Sequence, residues 1–322
     1  MKRVLFFIFA FFLSIDFCAA FGAKDSKNIK DSQDDLPYSK FNYTVIPENP
    51  RPGEPVTIAA TKDAVKAVLL AGGKRISSAV FFTVPAQNGK RSFLAAVLTI
   101  PSTAEPGIGV IRLEGEEGAI CEILINIADR EFESETLRLN SALTGLVTQP
   151  DPQKTAESKI LGDILYTFGS DVYAEDQFIL PVLTTRRTSH YGEKRINVYS
   201  SGRSSTAIHA GIDFGAPAGT EVFACAPGKV VMARSRIITG NTVIIEHLPG
   251  FYSLYYHMDK VETDEGSMVS AGTLIGRVGA TGFATGPHLH WELRINGEHA
   301  DPDAFTARPI IDKNAILSTI FK

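Results

Sequence analysis

Short β-prone runs separated by glycine and proline fill the chain between residues 41 and 128. The runs are rich in β-branched and aromatic residues, which favour extended strands over helices. They are, in order, Tyr43–Ile46, Val56–Ala59, Ala67–Leu70, Ala79–Val84, Phe93–Leu98, Gly109–Leu113 and Cys121–Asn126. Short strands bury their apolar sides by packing one sheet on another, so this pattern predicts an immunoglobulin-like β-sandwich over residues 41–128.

The regular spacing of β-prone runs ends after residue 128. Ser134–Leu137 has the form of a capping box that opens a helix, and Ala156–Tyr166 is predicted to form a second helix. Pro150–Pro152 interrupts the segment between them. We therefore predict a partly helical connector over residues 129–177.

β-prone runs and glycine turns return from Phe178 to about Phe305. We predict an antiparallel β domain over residues 178–306, followed by a tail over residues 307–322 that forms a strand or a short helix on the surface. The predicted fold class is therefore mostly β, with an N-terminal β-sandwich, a short helical connector and a C-terminal antiparallel β domain.

Residues 1–20 have the composition of a secretory signal peptide. A basic start precedes the apolar run Val4–Ile15, and Cys18–Ala20 supplies small residues for cleavage. Residues 21–40 are polar and predict a flexible leader. We expect an exported protein of the periplasm or cell envelope, without a permanent membrane span after cleavage. Lipidation of Cys18 and retention of an uncleaved anchor are the alternatives.

Charge and cysteine content exclude several classes of partner and site. A net charge of -4 provides no basic surface for nucleic acid. After signal cleavage, Cys121 and Cys225 remain in different predicted domains, so neither a disulfide framework nor a cysteine zinc site is expected. Both thiols are predicted to be buried and inert. We expect a monomer.

Histidines in the C-terminal third lie in strand contexts. In the strand predicted from Leu289 to Ile295, side chains alternate between two faces. Four polar side chains share one face: His288, His290, Glu292 and Arg294. The opposite face is entirely apolar and is predicted to pack on a core.

Two other segments repeat this arrangement. Alternation places His209 and Asp213 on one face of the first segment, and Tyr255 and His257 on one face of the second. If the three segments are neighbours in one sheet, their histidines and Asp213 converge. Tyr255 then either lines the same groove or packs in the core.

Such a convergent set suits zinc. Zinc binds imidazole nitrogen and carboxylate oxygen, and a catalytic site has three protein ligands with a fourth position for water. The ion lowers the pKa of that water and polarises a peptide carbonyl, while further histidines transfer protons. Spacing alone does not establish convergence, because an isolated His-x-His recurs by chance.

Five motifs occur in order along the C-terminal half. They are His209–Phe214, Ala226–Val231, Tyr255–Met258, Gly279–Gly282 and Gly286–Glu292. Together they closely resemble the M23 peptidase family, also called the LytM or lysostaphin-like family, over about residues 178–306. Upstream, Tyr191-Gly192 resembles the opening motif of that family, with a spacer residue before the basic pair that ends at Arg195. This departure leaves the role of Arg195 open.

The resemblance implies a site and an activity. It implies that one Zn²⁺ ion is bound by His209, Asp213 and His290, and that His257 and His288 are catalytic. The implied fold is a compact antiparallel β domain of LytM type with the site in a groove. The implied function is that of a zinc metalloendopeptidase, which hydrolyses peptide bonds of bacterial peptidoglycan through a zinc-activated water.

Two other functions compete with this hypothesis. Some family members have lost metal ligands and activate other wall hydrolases, whereas every expected position is filled here. A carrier domain of the biotinyl-lipoyl kind has a similar glycine-rich β pattern, but it needs a lysine in an exposed hairpin, for which no motif is present. The N-terminal sandwich is expected to position the peptidase or to cover its groove.

The remaining histidines receive structural interpretations. His247 is expected in a turn between two strands, His299 in a loop or at the surface, and His190 at the surface of the opening loop.

Overall fold

Two four-stranded sheets form the N-terminal part of the computed structural model, which describes residues 42–85 and 91–321. The predicted signal peptide and leader lie outside these described residues. The strands are β1 (Tyr43–Ile46), β2 (Pro55–Ala60), β3 (Lys66–Ala71), β4 (Lys74–Val80), β5 (Phe82–Val84), β6 (Phe93–Thr99), β7 (Gly107–Gly115) and β8 (Gly118–Ile127). The sheets have the antiparallel orders β1-β2-β6-β5 and β4-β3-β7-β8.

One apolar core joins these two sheets. Both sheets contribute fully buried side chains to it, among them Ile58, Leu69, Leu98 and Ile111. Because neither sheet buries its apolar side alone, the arrangement is a β-sandwich.

A ten-stranded antiparallel sheet dominates the C-terminal part. The remaining elements are β9 (Ser134–Arg138), α1 (Ser141–Thr148), α2 (Pro152–Leu165), β10 (Arg187–Ser189), β11 (Lys194–Val198), β12 (Ser204–Ile208), β13 (Gly211–Gly215), β14 (Glu221–Phe223), β15 (Gly228–Arg236), β16 (Gly240–Leu248), β17 (Phe251–Val261), β18 (Met268–Val269), β19 (Leu274–Val278), β20 (His288–Ile295), β21 (Glu298–Ala300), α3 (Pro302–Ala307) and α4 (Lys313–Ile320). The main order is β10-β13-β20-β17-β16-β15-β18, and β19 pairs with β14 and β17 while β21 pairs with β20. The predicted mostly β fold class is confirmed.

The start of the connector was predicted incorrectly. Ser134–Arg138 is not the beginning of a helix but strand β9, which pairs in parallel with β11. The exposure of its side chains alternates with period two, as in a strand. The capping pattern favours a helix only locally, and pairing with a strand distant in sequence overrides it. The helices begin later, at the N-caps Asn140 and Asp151, and Pro152 occupies the first turn of α2. No helix of the described part of the chain is long and apolar enough to cross a membrane.

The tail forms the short helix α4 and packs against the N-terminal sandwich. Ile316 and Ile320 are fully buried there. Asn42 Nδ2 donates a hydrogen bond to the Ile320 carbonyl at 3.0 Å, and Thr57 Oγ1 donates to the Ile310 carbonyl at 2.8 Å. The last residues of the chain therefore tie the two parts together, and β2 is buried along its whole length.

The alternation predicted for β17 breaks at His257. This residue has φ of 62°, in the left-handed region that non-glycine residues seldom adopt. Tyr255 consequently points into the core, where its hydroxyl accepts a hydrogen bond from the Cys225 N–H at 2.9 Å. Tyr256 instead shares the groove side with His257. Of the two alternatives for Tyr255, core packing is correct.

His247 and the two cysteines are structural residues. His247 lies within β16 and is fully buried, so its predicted position in a turn was wrong. Both cysteines are free, and Cys225 is fully buried as predicted, whereas Cys121 is only partly buried. Burial raises the pKa of the Cys225 thiol to about 12 and that of Cys121 to about 11, which keeps both protonated and unreactive at neutral pH.

Candidate active site

Three side chains meet on the large sheet. His290 on β20 lies directly opposite Asp213 on β13 in the strand register, and His209 precedes β13. His209 Nε2 and His290 Nδ1 are 3.0 Å apart. Asp213 Oδ1 lies 3.1 Å from the first nitrogen and 2.8 Å from the second. All three side chains are buried, so their polar atoms face one another and not bulk water.

The donor set fits a zinc ion. Zinc accepts two imidazole nitrogens and a carboxylate oxygen as three of four tetrahedral ligands, which places ligand atoms roughly 3.3 Å apart. His209 Nδ1 donates to the His190 carbonyl at 2.8 Å. His290 Nε2 contacts Glu292 Oε2 at 3.4 Å. Because the second nitrogen of each ring has its own acceptor, His209 Nε2 and His290 Nδ1 are the ring nitrogens that would bind the ion together with Asp213.

Arg195 holds the other oxygen of Asp213. Its Nη2 donates to Oδ2 at 2.5 Å, which leaves Oδ1 facing the two histidines. Burial opposes ionisation of Asp213, but hydrogen bonds with His209 and His290 and their charges outweigh it and hold its pKa well below the ordinary value. Arg195, whose role the sequence leaves open, thus contacts a candidate metal ligand.

A buried carboxylate lies behind His290. Glu292 is almost fully buried and also accepts a hydrogen bond from Arg294. Burial favours the neutral ring of His290, but hydrogen bonds with Asp213 and Glu292 raise its pKa to about 9. Tyr256 stacks on the same ring with centroids 5.3 Å apart. Two carboxylates therefore flank this imidazole and favour a cation at the site.

Two further histidines lie beside this cluster. His257 Nδ1 donates to the Thr281 carbonyl and His288 Nδ1 donates to the Gly286 carbonyl, each at 2.8 Å. Their ring centroids are 4.8 Å apart, and His288 Nε2 is 3.9 Å from Asp213 Oδ1. Burial, reinforced by the neighbouring imidazoles, lowers the pKa of His257 to about 3. With Nδ1 engaged by backbone, each ring keeps Nε2 available on the groove side.

An open groove of about 540 Å³ contains these groups. Asp213, His257, His288 and His290 line it, while His209 lies behind them. Sequence reasoning missed one wall, because Glu135 and Leu137 of β9 also line the groove from far upstream. The signal that could have revealed them is the period-two alternation of β9.

The five residues singled out in the sequence are thus brought together, and the other histidines are not. The His190 ring is exposed and contacts Glu193 at 3.1 Å. His299 lies on the short strand β21 with its ring partly exposed, 3.2 Å from Glu292.

Comparisons with known proteins concern the part of the chain that holds this site. Residues 207–302 match the family model described as Peptidase family M23. The DD-carboxypeptidase/endopeptidase Mpg of Neisseria meningitidis serogroup B is 40% identical over 124 residues, which are 38% of this chain and 28% of that protein. The peptidoglycan DD-endopeptidase ShyA of Vibrio cholerae is 38% identical over 112 residues, which are 35% of this chain and 25% of ShyA. The chain thus spans about a quarter of the length of these relatives.

The fold has a wider match. A crystal structure described as a peptidase M23 protein from Pseudomonas aeruginosa aligns with 80% of this chain and 94% of its own, with a TM-score of 0.55 and 24% identity. At this identity the likeness concerns the fold, which therefore extends well beyond the residues matched by sequence. Together with the strand register of the site, the family match identifies the region around residues 207–302 as a peptidase domain of family M23.

Proposed function

We propose that this protein is a zinc-dependent endopeptidase that hydrolyses peptide bonds of bacterial peptidoglycan. One observation carries the proposal: His209 Nε2, Asp213 Oδ1 and His290 Nδ1 lie within 3.1 Å of one another beside an open groove. A buried set of two imidazole nitrogens and one carboxylate oxygen that converge on one another suits a divalent cation. We assign these three residues as the zinc ligands.

Three side chains near the proposed zinc ligands are assigned the remaining roles in the reaction. Zinc in this site would polarise a peptide carbonyl and lower the pKa of a bound water towards neutrality. His257 and His288 are assigned as the catalytic histidines. Since the Thr281 and Gly286 carbonyls hold their Nδ1–H groups, each presents Nε2 to the groove, where it accepts or donates a proton or stabilises the oxyanion. Arg195 keeps Asp213 oriented with Oδ1 towards the histidines.

The names of the relatives support the substrate class. ShyA is described as a peptidoglycan DD-endopeptidase and Mpg as a DD-carboxypeptidase/endopeptidase. We extend that substrate to this chain, with export to the periplasm or cell envelope through the predicted signal peptide of residues 1–20. Within this proposal the sandwich of residues 41–128 is an anchor for the peptidase domain. Arg130, just beyond the sandwich, supports this with an ion pair of 2.6 Å to Asp301.

The test is hydrolysis of purified peptidoglycan by the full chain with one equivalent of zinc. New amino groups are expected with zinc, and their release should stop after chelation and return when zinc is added back. His290→Ala should abolish release, whereas the matched variant His190→Ala removes an exposed ring outside the cluster and should leave it intact. Full activity of His290→Ala, or an absence of bound zinc in the active protein, would refute the proposal.

A further inference from the structure

One arginine of the groove has no acidic partner. Arg186 and Thr188 both line the groove, whereas Arg187 between them forms an ion pair with Asp303 outside it. Across residues 42–85 and 91–321, no salt bridge involves the Arg186 side chain. The other arginine that lines the groove, Arg195, is already engaged by Asp213. Arg186 is therefore exposed to whatever enters the groove.

The position of Arg186 is fixed by the sheet. Its carbonyl accepts a hydrogen bond from the Gly215 N–H at 3.0 Å. Its guanidinium lies against the same glycine, where an added Cβ would be 2.8 Å from Nη1 and 2.7 Å from Thr188 Cγ2 and would displace both. Gly215 is paired with His288 across the strand register. The cation thus lies at the end of β13, the strand that pairs with the strand of a proposed catalytic histidine.

We propose that Arg186 binds a free carboxylate of the substrate peptide close to the scissile bond. The inference rests on the proposed function and specifies its substrate as an anionic peptide. A guanidinium presents two parallel N–H donors that match both carboxylate oxygens, and a charge-assisted pair of this kind gives geometric selection as well as affinity. The carboxylates lining the groove, Glu135 and Asp213, both face Arg195, so neither neutralises Arg186.

The experiment compares two synthetic cross-linked wall peptides that differ in one group. The first has a free carboxylate on the residue next to the scissile bond, and the second has a primary amide there. With the zinc-loaded full chain, the free acid should have a kcat/KM about tenfold or more above that of the amide, mainly through a lower KM. Arg186→Gln should remove this preference by slowing cleavage of the acid alone, and Arg186→Lys should restore part of it.

Arg203→Gln is the matched control, because Arg203 is exposed but does not line the groove. It should keep the preference of the wild-type protein. The inference is overturned if wild type cleaves acid and amide equally, or if Arg186→Gln keeps the same ratio. If wild type cleaves neither peptide nor intact peptidoglycan, the proposed function itself has failed, so the two failures are distinguishable.

Discussion

The large sheet carries two polar clusters of opposite character, one around a single buried histidine and one at the groove. In the core, His247 Nδ1 donates to the Pro227 carbonyl and Nε2 contacts Ser253 Oγ, each at 2.7 Å, and Ser253 in turn contacts the Tyr255 hydroxyl at 3.0 Å. All three side chains are fully buried, so this cluster is sealed from solvent. At the groove, His209 Nε2, Asp213 Oδ1 and His290 Nδ1 converge within 3.1 Å of one another. Hydrogen bonding within a sealed cluster indicates a structural role, and converging imidazole and carboxylate atoms beside a groove indicate a cation site.

The largest effect in a test of this comparison is expected from removal of the Asp213 carboxylate. Asp213→Ala should lose stoichiometric zinc and lower the rate of peptidoglycan hydrolysis by about a thousandfold or more, because the ligand set is broken. Metal analysis and amino-group release measure the two effects. Asp163→Ala, which removes an exposed carboxylate paired with Lys159, is the control and should behave as wild type. If Asp213→Ala retained zinc and activity, the groove cluster would not be the cation site, and its contrast with the core cluster would be wrong.

A smaller loss is expected from His257→Ala. This ring contributes proton transfer and not a metal bond in the proposed mechanism, so kcat should fall about a hundredfold or more while zinc stays bound. Parallel measurement of zinc content and kcat separates the two roles. If the variant loses its zinc together with its activity, His257 is a ligand and the proposed division of histidines is wrong.

Glu292→Gln should weaken zinc binding more than it slows the catalytic step. Glu292 accepts from the ring of His290, and partners of this kind typically contribute about 10- to 100-fold in metal affinity. Competition with a chelating dye should show zinc binding weakened by that factor. The control is Glu246→Gln, which alters another buried glutamate that contacts Gly169 and Tyr252 away from the groove. Equal zinc affinity in both variants would contradict the role of Glu292.

The sealed cluster predicts a pH effect on stability alone. Burial lowers the pKa of His247 from 6.5 to about 4, so the unfolded chain takes up the proton first as the pH falls. The contribution to the free energy of unfolding is complete above pH 6.5 and is lost towards pH 4, with about 2 kcal/mol lost between pH 7.5 and 5.

Urea unfolding of metal-free protein at both pH values measures this loss, since metal-free protein has no pH-dependent zinc binding, and the titrations of all other groups are shared with the variant that lacks His247. His247→Gln cannot titrate and should lose about 2 kcal/mol less than wild type over the same interval. An identical loss in both proteins would assign the pH dependence to other groups.

Local patterns in the sequence grouped polar side chains within single strands, and the resemblance to the M23 family assigned them to one site. The apolar residues alternate in the strands of Asp213 and His290, so the polar side of each strand could be inferred. Tyr256 was missed for the opposite reason. The left-handed backbone at His257 reverses the alternation, and no feature of the local sequence marks it. The inference therefore failed at a single residue and not along the strand.

Long-range pairing explains the other misses. Ser134 fits a helix cap by local rules, but β9 obtains its backbone hydrogen bonds from β11, some sixty residues later. The same strand pairing brings Glu135 and Leu137 to the groove wall. His247 is an exception, because β16 continues to Leu248 and pairs with β17, the next strand in sequence, so the turn follows only after Leu248.

The pairing of β9 with β11 has a practical consequence for dissecting the chain. A fragment that starts at residue 178 would keep every assigned zinc ligand and catalytic histidine but lose the strand that covers β11. The uncovered edge would present free N–H and C=O groups, which recruit strands from other molecules. Fragments of this protein that are intended to stay soluble should therefore begin ahead of residue 134, and self-association of shorter ones would reflect a lost neighbour strand and not an unstable ten-stranded sheet.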